Sequence, residues 1–124
     1  MLEGDFFMIK EVSKSEGGMT FRVALNDSHP IFQAHFAGNP VMPGACIAQM
    51  IKELVIGYLN ASFFVSAVRN MKFLKVINPI DNPEVSVYMN CTTREDDSVS
   101  VSTVISDGGN VFSKAIIVLN PVKE

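Results

Sequence analysis

One stretch of this chain has helical spacing while most of its surroundings alternate, and that contrast narrows the folds open to it. From Ala45 to Leu59, apolar residues recur at Ile47, Met50/Ile51, Leu54/Val55 and Tyr58, the repeat of an amphipathic helix. Gln49, Lys52 and Glu53 are its polar interruptions. A helix so apolar on most sides is expected at the middle of a core. Other segments follow the two-residue period of half-buried strands. Met19, Phe21, Val23 and Leu25 form one such series, Val85, Val87 and Met89 a second, and Val99, Val101, Thr103 and Ile105 a third. Strands are predicted over about 6–14, 19–25, 63–76, 84–94, 97–106 and 110–119. Turn chemistry lies at 15–18, at Asp96-Asp97 and at Asp107-Gly108-Gly109-Asn110, with loops over 26–30 and 78–83. Only a sheet is available to cover the helix. The expected fold is therefore α+β, with an antiparallel sheet wrapped around a long central apolar helix in one domain over 1–124.

Composition removes several functional classes. A chain of 124 residues with 48% hydrophobic content can bury a sizeable core and is not a disordered tail. No apolar run reaches the ~18 residues of a membrane span. Met1-Leu2-Glu3-Gly4-Asp5 has neither the basic start nor the apolar stretch of a signal peptide, so a cytoplasmic protein is expected. The net charge of −3 argues against nucleic acid. Cys46 and Cys91 are isolated thiols in apolar segments and are expected to be reduced. The two histidines, His29 and His35, have no metal-ligand spacing with cysteines or carboxylates, and no glycine-rich phosphate loop occurs, so neither metal nor cofactor is expected. Between Leu54 and Ile80 there is no acidic residue, while Arg69, Lys72 and Lys75 all fall there. Such a stretch could dock an acidic partner, although Lys72 does not share the parity of the other two on a straight strand.

The chemistry concentrates in His35-Phe36-Ala37-Gly38-Asn39-Pro40-Val41-Met42-Pro43-Gly44, just before the helix. Pro40 and Pro43 fix φ near about −65°, while Gly38 and Gly44 permit positive φ or the close approach of a ligand. A histidine, a constrained turn and a helix N-terminus are the parts needed to hold and polarise a carbonyl compound.

This string resembles the active-site segment of the β-hydroxyacyl-acyl-carrier-protein dehydratases, the FabZ/FabA family, whose pattern is H-F-P-G-x-P-x-M-P-G. The chain departs at Ala37, where the family has proline. It departs again at Gln49, five positions after Gly44, where the family has Glu or Asp. The resemblance implies the hotdog fold, a homodimer with sites built from both subunits, and an arrangement that in some members is a trimer of dimers. It also implies a (3R)-3-hydroxyacyl thioester as substrate, carried on acyl carrier protein or coenzyme A, and a trans-2-enoyl product of fatty-acid or related acyl-chain biosynthesis.

Dehydration of such a substrate needs a base for the α-proton, a donor for the enolate-like oxygen and a proton for the departing hydroxide. His35 suits the first role, because imidazole titrates near ~6.5. Gly44 offers its N–H to the carbonyl, as the resemblance implies. Gln49 has no ionisable proton and can only donate a hydrogen bond or orient a water. Glu53, one turn further on, could stand in as the acid, or simply be an exposed or salt-bridged helix residue. Phe36, Gly38, Pro40, Met42, Pro43 and Glu53 are the candidate substrate-binding residues. His29 is expected to serve its loop, as a turn residue or at a pocket entrance. Two other functions use the same pocket: a hotdog thioesterase with Glu53 as its carboxylate, and a non-catalytic acyl-binding subunit.

Overall fold

A computed structural model describes residues 2–34, 40–59 and 63–122. Six strands and two helices follow in the order β1 (Phe7–Ser15), β2 (Gly18–Leu25), α1 (Pro30–Ala34), α2 (Gly44–Leu59), β3 (Phe63–Phe73), β4 (Glu84–Thr93), β5 (Val99–Asp107) and β6 (Asn110–Pro121). The strands form one sheet in the order β1-β2-β4-β5-β6-β3, and every pairing is antiparallel.

Alternation in the sequence becomes sidedness in the sheet. Met19, Phe21, Val23 and Leu25 of β2 are buried, as are Val85, Val87 and Met89 of β4 and Val99, Val101, Thr103 and Ile105 of β5. All but Thr103 meet Ile47, Met50, Ile51, Leu54 and Val55 of α2 in one hydrophobic cluster. The Asp107–Asn110 turn is a two-residue hairpin loop, with Asp107 opposite Asn110 and Gly108 at φ 59°. Asp97, at φ 68°, turns the β4–β5 connection.

Four expectations need correction. The helix is not enclosed on all sides: it has 16 residues and buries one face. Ala45 is exposed, and Ala48, Gln49, Lys52 and Ile56 are half-buried on the opposite side. Tyr58, counted with the apolar stripe, is 45% exposed at the helix end. Residues 30–34 form the short helix α1, where His29 Nδ1 accepts the N–H of Ile31. His29 Nε2 lies 3.1 Å from an Asp5 carboxylate oxygen and its ring meets Phe6 edge-on, so His29 is a turn residue.

The fourth correction concerns the basic stretch. Strand β3 carries two bulges, one between Val65 and Ala67 and one between Arg69 and Lys72. At the second, Asn70 adopts φ 52° and three steps along β3 oppose two along β6, so Arg69 faces Ile116 and Lys72 faces Lys114. The extra residue restores shared parity to Arg69 and Lys72. With Lys114 they lie on the sheet face opposite the buried Ser113, Ala115 and Ile117. Lys75 follows the strand and donates to Asn110 Oδ1 at 2.7 Å.

Candidate active site

Helix α2 begins where Pro43 ends the turn. Its carbonyl accepts the N–H groups of Cys46 and Ile47 at 3.0 and 3.1 Å, which leaves the Gly44 N–H without an acceptor among the described residues. Met42 N–H donates to the Ile77 carbonyl at 2.8 Å, fastening the turn to the chain that follows β3. Between these two segments opens a cleft of about 350 Å³, walled by Val41, Met42, Pro43, Gly44 and Ile47 on one side and Phe73 to Ile77 on the other. Apart from Lys75, its side chains are apolar. An acyl chain fits such a wall, and the free N–H at the helix end supplies a donor for an oxygen carrying negative charge.

Gly44 allows a close approach rather than a positive φ. A Cβ there would lie 2.7 Å from the tip of the Phe73 ring, so the ring covers the helix's first residue. Phe73, itself 58% exposed, is therefore part of the cleft rim. The sequence reading assigned 63–76 to a strand and gave it no role in the site. The signal in the sequence is the run of large apolar residues Phe73, Leu74, Val76 and Ile77, of which the first three are exposed and Ile77 is buried.

The predicted site residues divide into three groups. His35, Phe36 and Gly38 lie outside the described residues. Met42, Pro43 and Gly44 line the cleft, while Pro40 is buried beside it without reaching its wall. Gln49 and Glu53 are not on that wall. They form a pair elsewhere on α2, with Gln49 Nε2 donating to Glu53 Oε2 at 2.9 Å.

Glu53 is neither exposed nor bridged to Lys52. It is 7% exposed and accepts three further contacts from main-chain donors: Leu2 N–H reaches both carboxylate oxygens at 3.0 and 2.8 Å, and Glu3 N–H reaches Oε1 at 2.8 Å. Burial pushes the Glu53 carboxyl up. The hydrogen bonds from Leu2, Gln49 and Glu3 outweigh that effect and hold it below the ordinary glutamate range. A carboxylate in this setting stays ionised and has no proton to give. Sequence spacing could show that Gln49 and Glu53 share a helix face, but not that residues 2–3 fold back onto it. Cys46 and Cys91 are unpaired, and burial raises both thiols above their usual range. Among the described residues, no three metal-ligating side chains converge, and no helix is long and apolar enough to cross a membrane.

An antiparallel sheet packed on one helix, with a cleft at that helix's N-terminus, is a hotdog-type architecture, and solved structures of the same shape bear this out. One subunit fold in the dehydratase heterocomplex ApeI:P of Xenorhabdus doucetiae matches with a TM-score of 0.66 at 14% identity, covering 90% of this chain and 96% of that one. A hypothetical thioesterase of Streptococcus pneumoniae, solved with coenzyme A, matches with a TM-score of 0.63 at 15% identity over 92% of this chain and 86% of its own. Within that fold the sequence is more specific: the chain belongs to the ApeI-like dehydratase family, whose model matches residues 11–114. It is also 31% identical over 96 residues to the 3-hydroxyacyl-[acyl-carrier-protein] dehydratase FabZ of Lactiplantibacillus plantarum, an alignment covering 72% of this chain and 64% of that protein. The FabZ of Levilactobacillus brevis is 31% identical over 103 residues, covering 77% and 67%. The chain thus spans about two-thirds of the length of these relatives.

Proposed function

We propose that this protein dehydrates (3R)-3-hydroxyacyl thioesters, carried on acyl carrier protein or coenzyme A, to trans-2-enoyl thioesters. The observation that carries the reading is the apolar cleft at the start of α2, with the Gly44 N–H, which has no acceptor among the described residues, on its wall at the end of the His35–Gly44 string. His35 is the base. It takes the α-proton while the electron pair moves toward the thioester oxygen, where the Gly44 N–H stabilises the charge. The pair then forms the C2–C3 double bond as the C3–O bond breaks. Gln49 has no proton to release and Glu53 is held as an anion, so the proton that converts hydroxide to water comes from the His35 imidazolium, directly or through a water held by Gln49. Atoms balance with a single acid–base residue.

The open face of α2 and the edge strand β3 support a homodimer as the working form. Gln49 is half-buried on that open face, away from the cleft of its own chain. Phe64 and Val68 are 48% and 44% exposed on β3, whose far edge has no strand beside it. In a dimer, the Gln49 of one chain would complete the cleft of the other. The thioesterase reading draws less support, because the carboxylate it needs is saturated by main-chain donors.

The test mixes the protein with a medium-chain (3R)-hydroxyacyl carrier-protein thioester and scores water loss against free thiol by mass spectrometry. Water loss is expected, falling by about 10²–10⁴-fold in His35→Ala. Free thiol without water loss would establish a thioesterase instead, and neither product a binding subunit.

A further inference from the structure

We infer that Glu53 is a positioning residue that fixes which end of the Gln49 amide faces the substrate, and so makes Gln49 an acceptor for the substrate's 3-hydroxyl. The inference rests on the dehydratase reading for its substrate and on the proposed homodimer for bringing Gln49 to a cleft, but on geometry for the rest. A glutamine amide can rotate by half a turn with little steric change, exchanging its oxygen for its NH2 group. Beside Glu53 the two orientations are not equivalent. With Nε2 toward the carboxylate, a charge-assisted hydrogen bond forms at 2.9 Å. In the reverse orientation the amide oxygen would face a buried anion. Glu53 cannot relieve that conflict by moving away, because Leu2 and Glu3 hold both of its oxygens through main-chain N–H groups. It cannot relieve it by protonation either, since those same donors favour the ion.

Gln49 Oε1 is therefore turned away from Glu53, toward the open side of α2. Donating one N–H to an anion also increases the negative charge on the amide oxygen and improves it as an acceptor. An O–H donor on the substrate satisfies such a group, whereas a 3-oxo or 3-methoxy group has no hydrogen to offer it. The segment containing Leu2 and Glu3 thereby becomes the remote support of a specificity contact: main chain holds carboxylate, and carboxylate holds amide.

Two readouts test this on the intact protein. The first is the Gln49 side-chain amide in 15N NMR spectra without substrate, assigned by its absence in Gln49→Ala. The proton bonded to Glu53 is expected downfield of its position in an ordinary glutamine amide and slow to exchange with solvent, and that signature is weakened in Glu53→Gln. Two protons at ordinary glutamine shifts, both exchanging freely in the wild type, would overturn the proposal, even if the variant failed to fold. The second is kinetic. Glu53→Gln is expected to lower kcat about ten- to a hundredfold while KM changes less than about twofold, and to have no further effect on kcat in a Gln49→Ala background. An equal loss in both backgrounds would show that Glu53 acts on stability rather than through Gln49. A wild-type protein that releases no water would overturn the dehydratase reading alone, because the amide signal is read without substrate.

Discussion

At the scale of single residues, Glu53 has the most to say about stability as well as about the site. An unfolded glutamate titrates near ~4.3, and Glu53 in the folded chain lies lower, so the folded state binds its proton less readily. The ion therefore contributes its full stabilisation above the ordinary glutamate range and loses it as pH falls through Glu53's own lower range. Glu53→Gln should accordingly be less stable than the parent at neutral pH, with the gap narrowing in acid. Urea midpoints measured across pH check this, and a gap that stays constant would rule it out. None of this was visible in the sequence. The i, i+4 spacing of Gln49 and Glu53 could be read directly, but the other three contacts to the carboxylate come from residues some fifty positions away, and only tertiary structure brings them together.

At the scale of elements, periodicity carried most of the information. Strands β2, β4 and β5 fell where alternation put them, because each has one face on the core and one outside. Helix α1 escaped notice because five residues are too few to show a helical repeat, and its first turn depends on the His29 ring rather than on a Ser or Asp cap. The bulge at Asn70 escaped for a different reason: nothing local marks it, and only the β6 register reveals it. Gly18 offers a sharp test of packing between strands. A Cβ there would collide with the Met89 carbonyl oxygen, a main-chain atom that cannot swing aside. Gly18→Ala should therefore cost about 1–3 kcal/mol of stability by forcing β2 and β4 apart. Thermal melts decide this, and an unchanged Tm would mean that the strands part without penalty. At Gly44 the obstacle is only the Phe73 ring, and a ring on the rim can rotate away.

At the scale of the molecule, the apolar edge of β3 is the feature a lone chain leaves unexplained. Exposed strand edges are usually blunted by charge, proline or bulges. β3 has its two bulges, yet Phe64 and Val68 remain in solvent. If a second copy covers this edge, Val68→Lys should shift the protein to monomer in analytical ultracentrifugation and lower water loss to about the level of Gln49→Ala, since each cleft then lacks the Gln49 of its partner. A variant that sediments like the parent would move the subunit contact elsewhere. One wall of the cleft was legible in outline from the His35–Gly44 string and the helix behind it. Its second wall was not, because Phe73 to Ile77 reach it only through the pairing of β3 with β6.

That pairing has a consequence for how the chain acquires its structure. β3 bonds to β6, and β4 and β5 must be made before β6 exists. During synthesis β3 therefore leaves the ribosome without its partner, carrying phenylalanines and valines that nothing yet covers. The closing contact also joins residues far apart in sequence, second only to the β2–β4 pairing, so it is costly in loop entropy. Folding of this chain waits on its last strand, and a ribosome stalled before β6 would hold out a sticky, half-finished sheet.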